Sequence, residues 1–246
     1  MIELPCSRLL QRGAVALLLM FGASALAAQS GAGSGNENDA TFSKANRLLF
    51  MTDHLQGLNT PARLEYKFVH QDGDTADDDT DYTDHVDLQI DEGEQNGKHV
   101  RVDFLSGDRH RYMPDIDNAR GNPVIMMFLQ NDVTELARRT GGSWRYFQRR
   151  VKFALEDAAT VSRARATYDG EPIDVERIEL TPYAGEQDHR DDVAQALARR
   201  YIFLLSDAVP GGVLELRAQT PAADGRPAVS DRLTLDATAT RTGVAQ

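Results

Sequence analysis

Seven aspartates, Asp72, Asp74, Asp77, Asp78, Asp79, Asp81 and Asp84, fall within thirteen residues and form the densest set of potential metal ligands in the chain. Clustered carboxylates supply the hard oxygens that calcium takes. A calcium loop of EF-hand type starting at Asp72 needs Gly at its sixth position and Glu at its twelfth. Asp77 and Thr83 stand there instead. The ordinary reading is a solvated loop, 72–84, whose charge keeps a sheet edge from aggregating. His85 and His99 are the next candidates, for zinc. If Asn96-Gly97 forms a two-residue turn, His99 faces Glu94 and Asp103 faces Ile90. His85 would then face Asp108 past the strand's end, too far from His99 for a shared ion. His54, His70, His110 and His189 have no partner visible in the sequence. No metal and no cofactor is expected.

Nucleophile chemistry finds little support. No Gly-x-Ser-x-Gly elbow occurs, and Ser106 in Leu105-Ser106-Gly107-Asp108 lacks a strand-turn-helix context. The only cysteine, Cys6, lies in a segment expected to be removed. The reading therefore leans away from an enzyme and names no catalytic residue. One cationic cluster runs against the acidic whole: Arg138, Arg139, Arg145, Arg149, Arg150 and Lys152. It reads as a solvated helix face or as a patch for an anionic partner, such as a lipid headgroup, a polyanionic cell-surface polymer or an acidic protein, an envelope protein among the candidates.

The first residues set the compartment. Arg8 and Arg12 precede an apolar run from Ala14 to Ala23, and Ala25-Leu26-Ala27 offers a small-x-small cleavage pattern. This is a secretory signal peptide, 1–27, cut near Ala27 or Ala28. The run is shorter than the roughly 20 residues of a membrane span. Cys6 precedes it, so it cannot carry a lipid anchor. The expected product is periplasmic, without a thiol or a transmembrane helix. Losing Glu3, Arg8 and Arg12 takes the formal charge from -11 to -12, which argues against nucleic-acid binding. The remainder, roughly 215 residues, suits one large domain. It divides into a disordered leader (28–42), a single domain (43–240) and a flexible tail (241–246).

Periodicity supplies the elements. A helix starts at Ser43, with Leu48, Leu49, Met51 and Leu55 on one face. Three strands alternate apolar and polar residues through Leu64, Tyr66 and Phe68, through Val86, Leu88 and Ile90, and through Val100, Val102 and Phe104. Asn122-Pro123 opens a helix with Val124, Met127, Phe128, Val133 and Leu136 in its stripe, ended by Gly141-Gly142. A second helix carries Trp144, Phe147, Val151, Ala154 and Leu155. Asp169-Gly170 makes a hairpin with Tyr168 opposite Glu171, Ala166 opposite Ile173 and Arg165 opposite Asp174. Ile178 and Leu180 then fall on the wrong face, which predicts a bulge near Arg177. Residues 201–205 are apolar on both faces. Val209-Pro210-Gly211-Gly212 is a turn, and a last strand holds Leu233, Leu235, Ala237 and Ala239.

The fold class is α+β: a large curved antiparallel sheet of about eight or nine strands, an open half-barrel, with an N-terminal helix and a central helical hairpin on its concave face. In element order this resembles the periplasmic lipoprotein-carrier and lipoprotein-receptor family of half-barrel proteins. No motif accompanies the resemblance, so it transfers no site residue. It implies a soluble, non-catalytic carrier for an apolar or lipid-like ligand. The expected lining is Tyr66, Phe68, Val102, Phe104, Met126, Met127, Phe128 and Phe203. The alternatives are an envelope scaffold acting through its surface, with peripheral contact to an anionic membrane, and a cofactor-free hydrolase.

Overall fold

One-sided strands need a shared core, and here they find it in a single sheet. The computed structural model describes residues 42–73, 81–95, 97–185, 197–222 and 228–242. The signal segment, the leader as far as residue 41, aspartates 74–79 of the acidic loop, Asn96, His189 and the last four residues lie outside them. Nine strands are described: β1 (Ala62–Asp72), β2 (Tyr82–Glu92), β3 (Lys98–Phe104), β4 (Ile116–Ala119), β5 (Thr160–Tyr168), β6 (Glu171–Leu180), β7 (Arg200–Leu205), β8 (Val213–Thr220) and β9 (Val229–Leu235). They form one antiparallel sheet in the order β4-β3-β2-β1-β9-β8-β7-β6-β5. The sheet is curved and unclosed. Helices α2 (Val124–Thr140) and α3 (Trp144–Asp157) follow β4. A short α1 (Lys44–Asn46) runs into a π-helical turn (Arg47–Met51).

The inward rows are those the alternation marks. Leu64, Tyr66 and Phe68 share a core with Val86, Leu88, Ile90, Val100, Val102 and Phe104, and with Phe203, Leu216 and Leu233. Onto this face α2 packs Val124, Phe128, Val133 and Leu136, and α3 packs Phe147, Val151, Ala154 and Leu155. The start of α2 follows from its sequence. Pro123 sits just ahead of the first helical residue, and Asn122 Oδ1 accepts the Val124 N–H at 3.1 Å. Gly141 ends the helix at φ 66°. In α1, Ser43 Oγ accepts the Asn46 N–H, while Met51, expected on the buried face, is exposed where the helix ends in its π turn.

Three local expectations are corrected. The β2–β3 hairpin does not turn on two residues. Val86 pairs with Phe104, Leu88 with Val102, Ile90 with Val100 and Asp91 with His99, leaving a five-residue loop, 93–97. A two-residue Asn-Gly turn would have put the apolar rows of the two strands on opposite faces, and burying one common face outweighs the turn signature. The β5–β6 hairpin has the expected register from Tyr168↔Glu171 to Arg163↔Glu176, but no bulge follows at Arg177. Pairing runs unbroken to Thr160↔Glu179, so Val175 and Ile178 bury on opposite faces of β6. The switch falls where β7 ends. Strand β7 covers β6 only from Glu176 to Leu180, and the two-stranded ribbon beyond it has different neighbours. Finally, β9 stops at Leu235. Asp236 Oδ1 accepts the Thr238 and Ala239 N–H groups, and this side-chain turn removes Ala237 and Ala239 from the strand.

The turn at 209–212 fastens the far end of the core. Gly211 and Gly212 hold φ of 73° and 71°. A Cβ on Gly211 would lie 2.4 Å from Leu64 Cδ1 and 2.9 Å from Asn122 Nδ2. Gly170, at φ 80°, has nothing within 4 Å of that position. Gly211→Ala therefore adds a clash to the backbone strain and is expected to cost about 2–4 kcal/mol, against about 1 kcal/mol for Gly170→Ala. Urea unfolding of the two variants checks the ranking.

Candidate functional site

The inward rows change character at one end of the sheet. Following Phe68, β1 places His70 inward. Strand β2 begins with Tyr82 and Asp84, β9 contributes Asp231, β8 ends in Thr220, and Arg199 stands just ahead of β7, whose second residue is Tyr201. From above, α2 lowers Asp132 out of the middle of its own apolar stripe, between Leu129 and Val133. Asp132 is 4 % exposed, Arg199 3 % and Asp231 8 %. These are charges at the seam between a helix and a sheet, and burial makes each costly unless paired.

Arg199 is the hub. Its Nη2 donates to Asp132 Oδ1 on α2 and to Asp231 Oδ2 on β9, while Nη1 donates to Thr220 Oγ1 at 3.3 Å. Tyr201 Oη donates to Asp132 Oδ2, and Tyr183 Oη lies 3.3 Å from Tyr201 Oη. On the other side, His70 Nδ1 is 2.6 Å from Asp231 Oδ1. Arg139 Nη2 of α2 reaches His70 Nε2 at 3.4 Å, so the imidazole proton on Nδ1 is the one given to Asp231. His70 also stacks on Tyr82 at 4.9 Å, and Arg109 caps that ring at 4.3 Å. Satisfaction is incomplete: among the described residues Arg199 Nε is buried without an acceptor.

The electrostatics follow from burial and pairing. Burial pushes the Asp132 carboxyl up, against the pull of Arg199. Burial would raise Asp231 too, but hydrogen bonds from His70 and Arg199 outweigh it and hold that carboxyl below its usual range. Burial beside Asp132 pushes Tyr201 well above its ordinary value. The His70–Asp231 pair has the orientation of a general base, yet Nε2 faces a guanidinium instead of a hydroxyl or thiol. What the cluster can do is bind α2 to four strands through charge.

A second feature lies across the fold. A cleft of about 640 Å³ is lined by Leu48, Thr52, His54, Arg163, Ile173, Asp174, Val175, Glu176, Leu205, Ser206, Asp207, Ala208 and Gly212. His54 anchors its floor. Its Nδ1 accepts the Asn122 N–H at 3.2 Å and its Nε2 donates to Leu48 O at 2.9 Å, which fixes a neutral ring. Burial lowers its pKa. Asn122 in turn donates to Tyr66 Oη and Gly211 O.

Of the residues expected to line a ligand, Tyr66, Phe68, Val102, Phe104, Phe128 and Phe203 are buried in the core. Phe68 meets Phe104 edge-on at 6.4 Å. Met127 is half-buried and Met126 is 45 % exposed. The cationic cluster divides. Arg138 and Arg139 both bond Glu135, and Arg139 also lies 3.5 Å from Asp72. Arg145, stacked over Trp144 at 4.6 Å, shares the outward side of α3 with Arg149, Lys152 and Phe153, and Arg150 is half-buried. Sequence reasoning missed the seam. Its signal was present as polar residues on apolar periods: Asp132 in the α2 stripe, His70 after Tyr66 and Phe68, and Asp231 before Leu233 and Leu235.

No family model matches the sequence, and no curated protein matches it. Solved structures are similar to the chain at low TM-score, these among them. MucB in complex with MucA(peri) gives a TM-score of 0.37 at 12 % identity, over 82 % of this chain and 56 % of that one. The MucA/MucB complex of Pseudomonas aeruginosa gives 0.33 at 14 %, over 83 % and 59 %. A LolA superfamily protein from Nitrosomonas europaea gives 0.19 at 9 %, over 78 % and 93 %. The chain thus spans little more than half the length of the MucB chains it matches. The likeness is one of architecture and transfers no residue or activity. Among the described residues no helix is long and apolar enough to cross a membrane, and no group of three His, Cys, Asp or Glu is placed to hold a metal.

Arg199→Met leaves two buried carboxylates facing each other and is expected to cost about 3–5 kcal/mol. Asp132→Asn keeps the shape of a carboxyl that burial already pushes toward neutrality, and should cost about 1–3 kcal/mol. Urea unfolding at neutral pH gives both values, and the reverse order would contradict the hub. His54 gives a pH test. Its folded pKa lies below the free value of 6.5, so its stabilisation is complete above 6.5 and is lost as pH falls through the folded value. Between pH 7.5 and 5 the wild type should lose stability relative to His54→Gln, at no more than about 1.4 kcal/mol per pH unit, the limit for one proton. Parallel curves for the two proteins would remove His54 from this role.

Proposed function

We propose that this chain is an exported, periplasmic, non-catalytic binding protein that holds an apolar, lipid-like ligand between its helical hairpin and the concave face of its sheet. The observation that carries the reading is the seam. Two helices cover a face of large apolar side chains, and α2 is fastened there by an ionic cluster. A helix with no task beyond staying packed would gain as much from an apolar residue at position 132, because buried ion pairs roughly break even with hydrophobic replacements. A polar fastening suits a seam that parts, since its groups regain water when it opens. The lining residues fill the closed interior, and on this reading they meet the ligand once α2 lifts. The outward side of α3, with Arg145, Arg149, Lys152 and exposed Phe153, suits contact with an anionic bilayer. An export signal over residues 1–27 and a mature start near Ala28 belong to the same proposal.

The packed state of six of the eight lining candidates favours one further reading, an envelope scaffold that works through its surface. A titration separates the two. The purified exported chain is mixed with cis-parinaric acid and the fluorescence followed. A carrier takes up the fatty acid saturably. Replacing the whole cluster by apolar residues (His70→Leu, Asp132→Leu, Arg199→Met, Tyr201→Phe, Asp231→Leu), so that neither the imidazole nor the Tyr201 hydroxyl is stranded, should leave the unfolding midpoint equal or higher and weaken uptake by about tenfold. Absence of uptake, or uptake indifferent to this replacement, rejects the carrier and leaves the scaffold.

A further inference from the structure

The two edges of the sheet are unlike. At one end β4 is four residues long and its register with β3 is irregular. That is how an edge is blunted. At the other end β5 pairs with β6 through nine consecutive residues without a break. It carries no proline, no acidic residue and no bulge. Asp169 and Gly170 both have positive φ, so the hairpin turns on two residues and Tyr168 and Glu171 form its closing hydrogen-bonded pair. From there the ladder alternates. The N–H and C=O groups of Tyr168, Ala166, Ala164 and Ser162 point to β6. Those of Thr167, Arg165, Arg163 and Val161 point away from the sheet. Pro172, opposite Thr167, fits this assignment, because that position needs no N–H for the hairpin. Among the described residues no backbone group of β5 bonds anything beyond β6.

The side chains state what would fit. Arg163 and Arg165 lie two residues apart on one face of the edge, both exposed. Arg165 meets Asp174 at 3.5 Å, but both side chains are more than 80 % exposed and such a pair holds little. The other face carries Ser162, Ala164, Ala166 and Tyr168, the last three half-buried against the core. Arg163 also stands on the rim of the 640 Å³ cleft, beside Glu176, Val175 and Leu48. A second copy of the chain is a poor occupant. Antiparallel self-pairing that uses the whole strand centres on Ala164 and sets each Arg163 opposite the other copy's Arg165, and like charges directly opposite are destabilising.

We infer that the β5 edge is a docking site for an extended segment of a partner protein, added as a tenth strand, with carboxylates at alternate positions facing Arg163 and Arg165. Main-chain bonds to Val161, Arg163, Arg165 and Thr167 give the affinity, and the two arginines select the acidic sequence. The available edge, from Val161 to Thr167, is about 20 Å and takes about seven residues. This site is separate from the helix–sheet interior and stands whether or not the chain carries a lipid.

The test uses the whole exported chain and three synthetic peptides of about seven residues. The first alternates Glu with Val and ends in Thr, the second has Lys for Glu, and the third is the Glu peptide with alternate backbone nitrogens methylated. Binding is followed by fluorescence anisotropy and by amide exchange. The Glu peptide should bind and slow exchange at Val161, Arg163, Arg165 and Thr167. The Lys and methylated peptides should bind at least about tenfold more weakly, and R163E/R165E should reverse the Glu-over-Lys preference. The methylated peptide keeps the test decisive if that double variant does not fold. No binding of the Glu peptide at millimolar concentration overturns the proposal. So does equal binding of all three peptides, or protection of β5 that depends on protein concentration alone, which would mean that a second copy occupies the edge.

Discussion

One guanidinium between two buried carboxylates sets the terms for the rest of this fold. Arg199 stands immediately before β7 and reaches β8 through Thr220, β9 through Asp231 and α2 through Asp132. Asp231 passes the link to His70 on β1, and Tyr82 on β2 closes over that ring. An apolar stripe alone tolerates small rotations of a helix over a sheet. A carboxylate that must meet one guanidinium and one tyrosine hydroxyl does not. The phase of α2, and with it which of its methionines face inward, is therefore set by position 132: Met127 is half-buried and Met126 turns to solvent.

The opposite end of the core is organised by a different chemistry. There a neutral imidazole, an asparagine amide and a tyrosine hydroxyl hold the N-terminal segment, the start of α2 and the 209–212 turn together without a formal charge. Gly211 and Gly212 admit this packing, since a side chain at either would strike Leu64 or His54. The interior is thus layered from a neutral hydrogen-bonded end, through a wide apolar middle, to an ionic end.

Much of this was legible in the sequence. Period-two alternation marked the strands because each has one wet face, and the Asn122-Pro123 start and Gly141 stop marked α2 because caps are local chemistry. The Asp169-Gly170 register was readable to the residue for the same reason. What failed was every choice in which local chemistry competed with burial elsewhere. Asn96-Gly97 asks for a two-residue turn, and the apolar rows of β2 and β3 overrule it. Parity alone asks for a bulge before Ile178, because nothing in the local sequence says that β7 stops short and gives the ribbon new neighbours. The seam was least legible of all. Arg199, Asp132, Asp231 and His70 are separated by tens of residues to more than a hundred, and each looks like a surface charge until the strands are ordered.

Magnitudes indicate why an opening seam is physically affordable on the carrier reading. Each large apolar side chain that α2 buries, among them Val124, Phe128, Val133 and Leu136, stabilises the closed form by about 1.5–3 kcal/mol. Lifting the helix with nothing in its place would forfeit most of that, which exceeds the stability of many whole domains. An acyl chain offers about 0.8 kcal/mol per buried methylene, so a chain of ordinary length replaces the loss almost term for term. The exchange is then between two burials of similar size, and the balance passes to whatever else holds the seam. An apolar fastening would add to the cost of opening. An ionic one recovers hydration as it parts and leaves the ligand's own burial to decide the outcome.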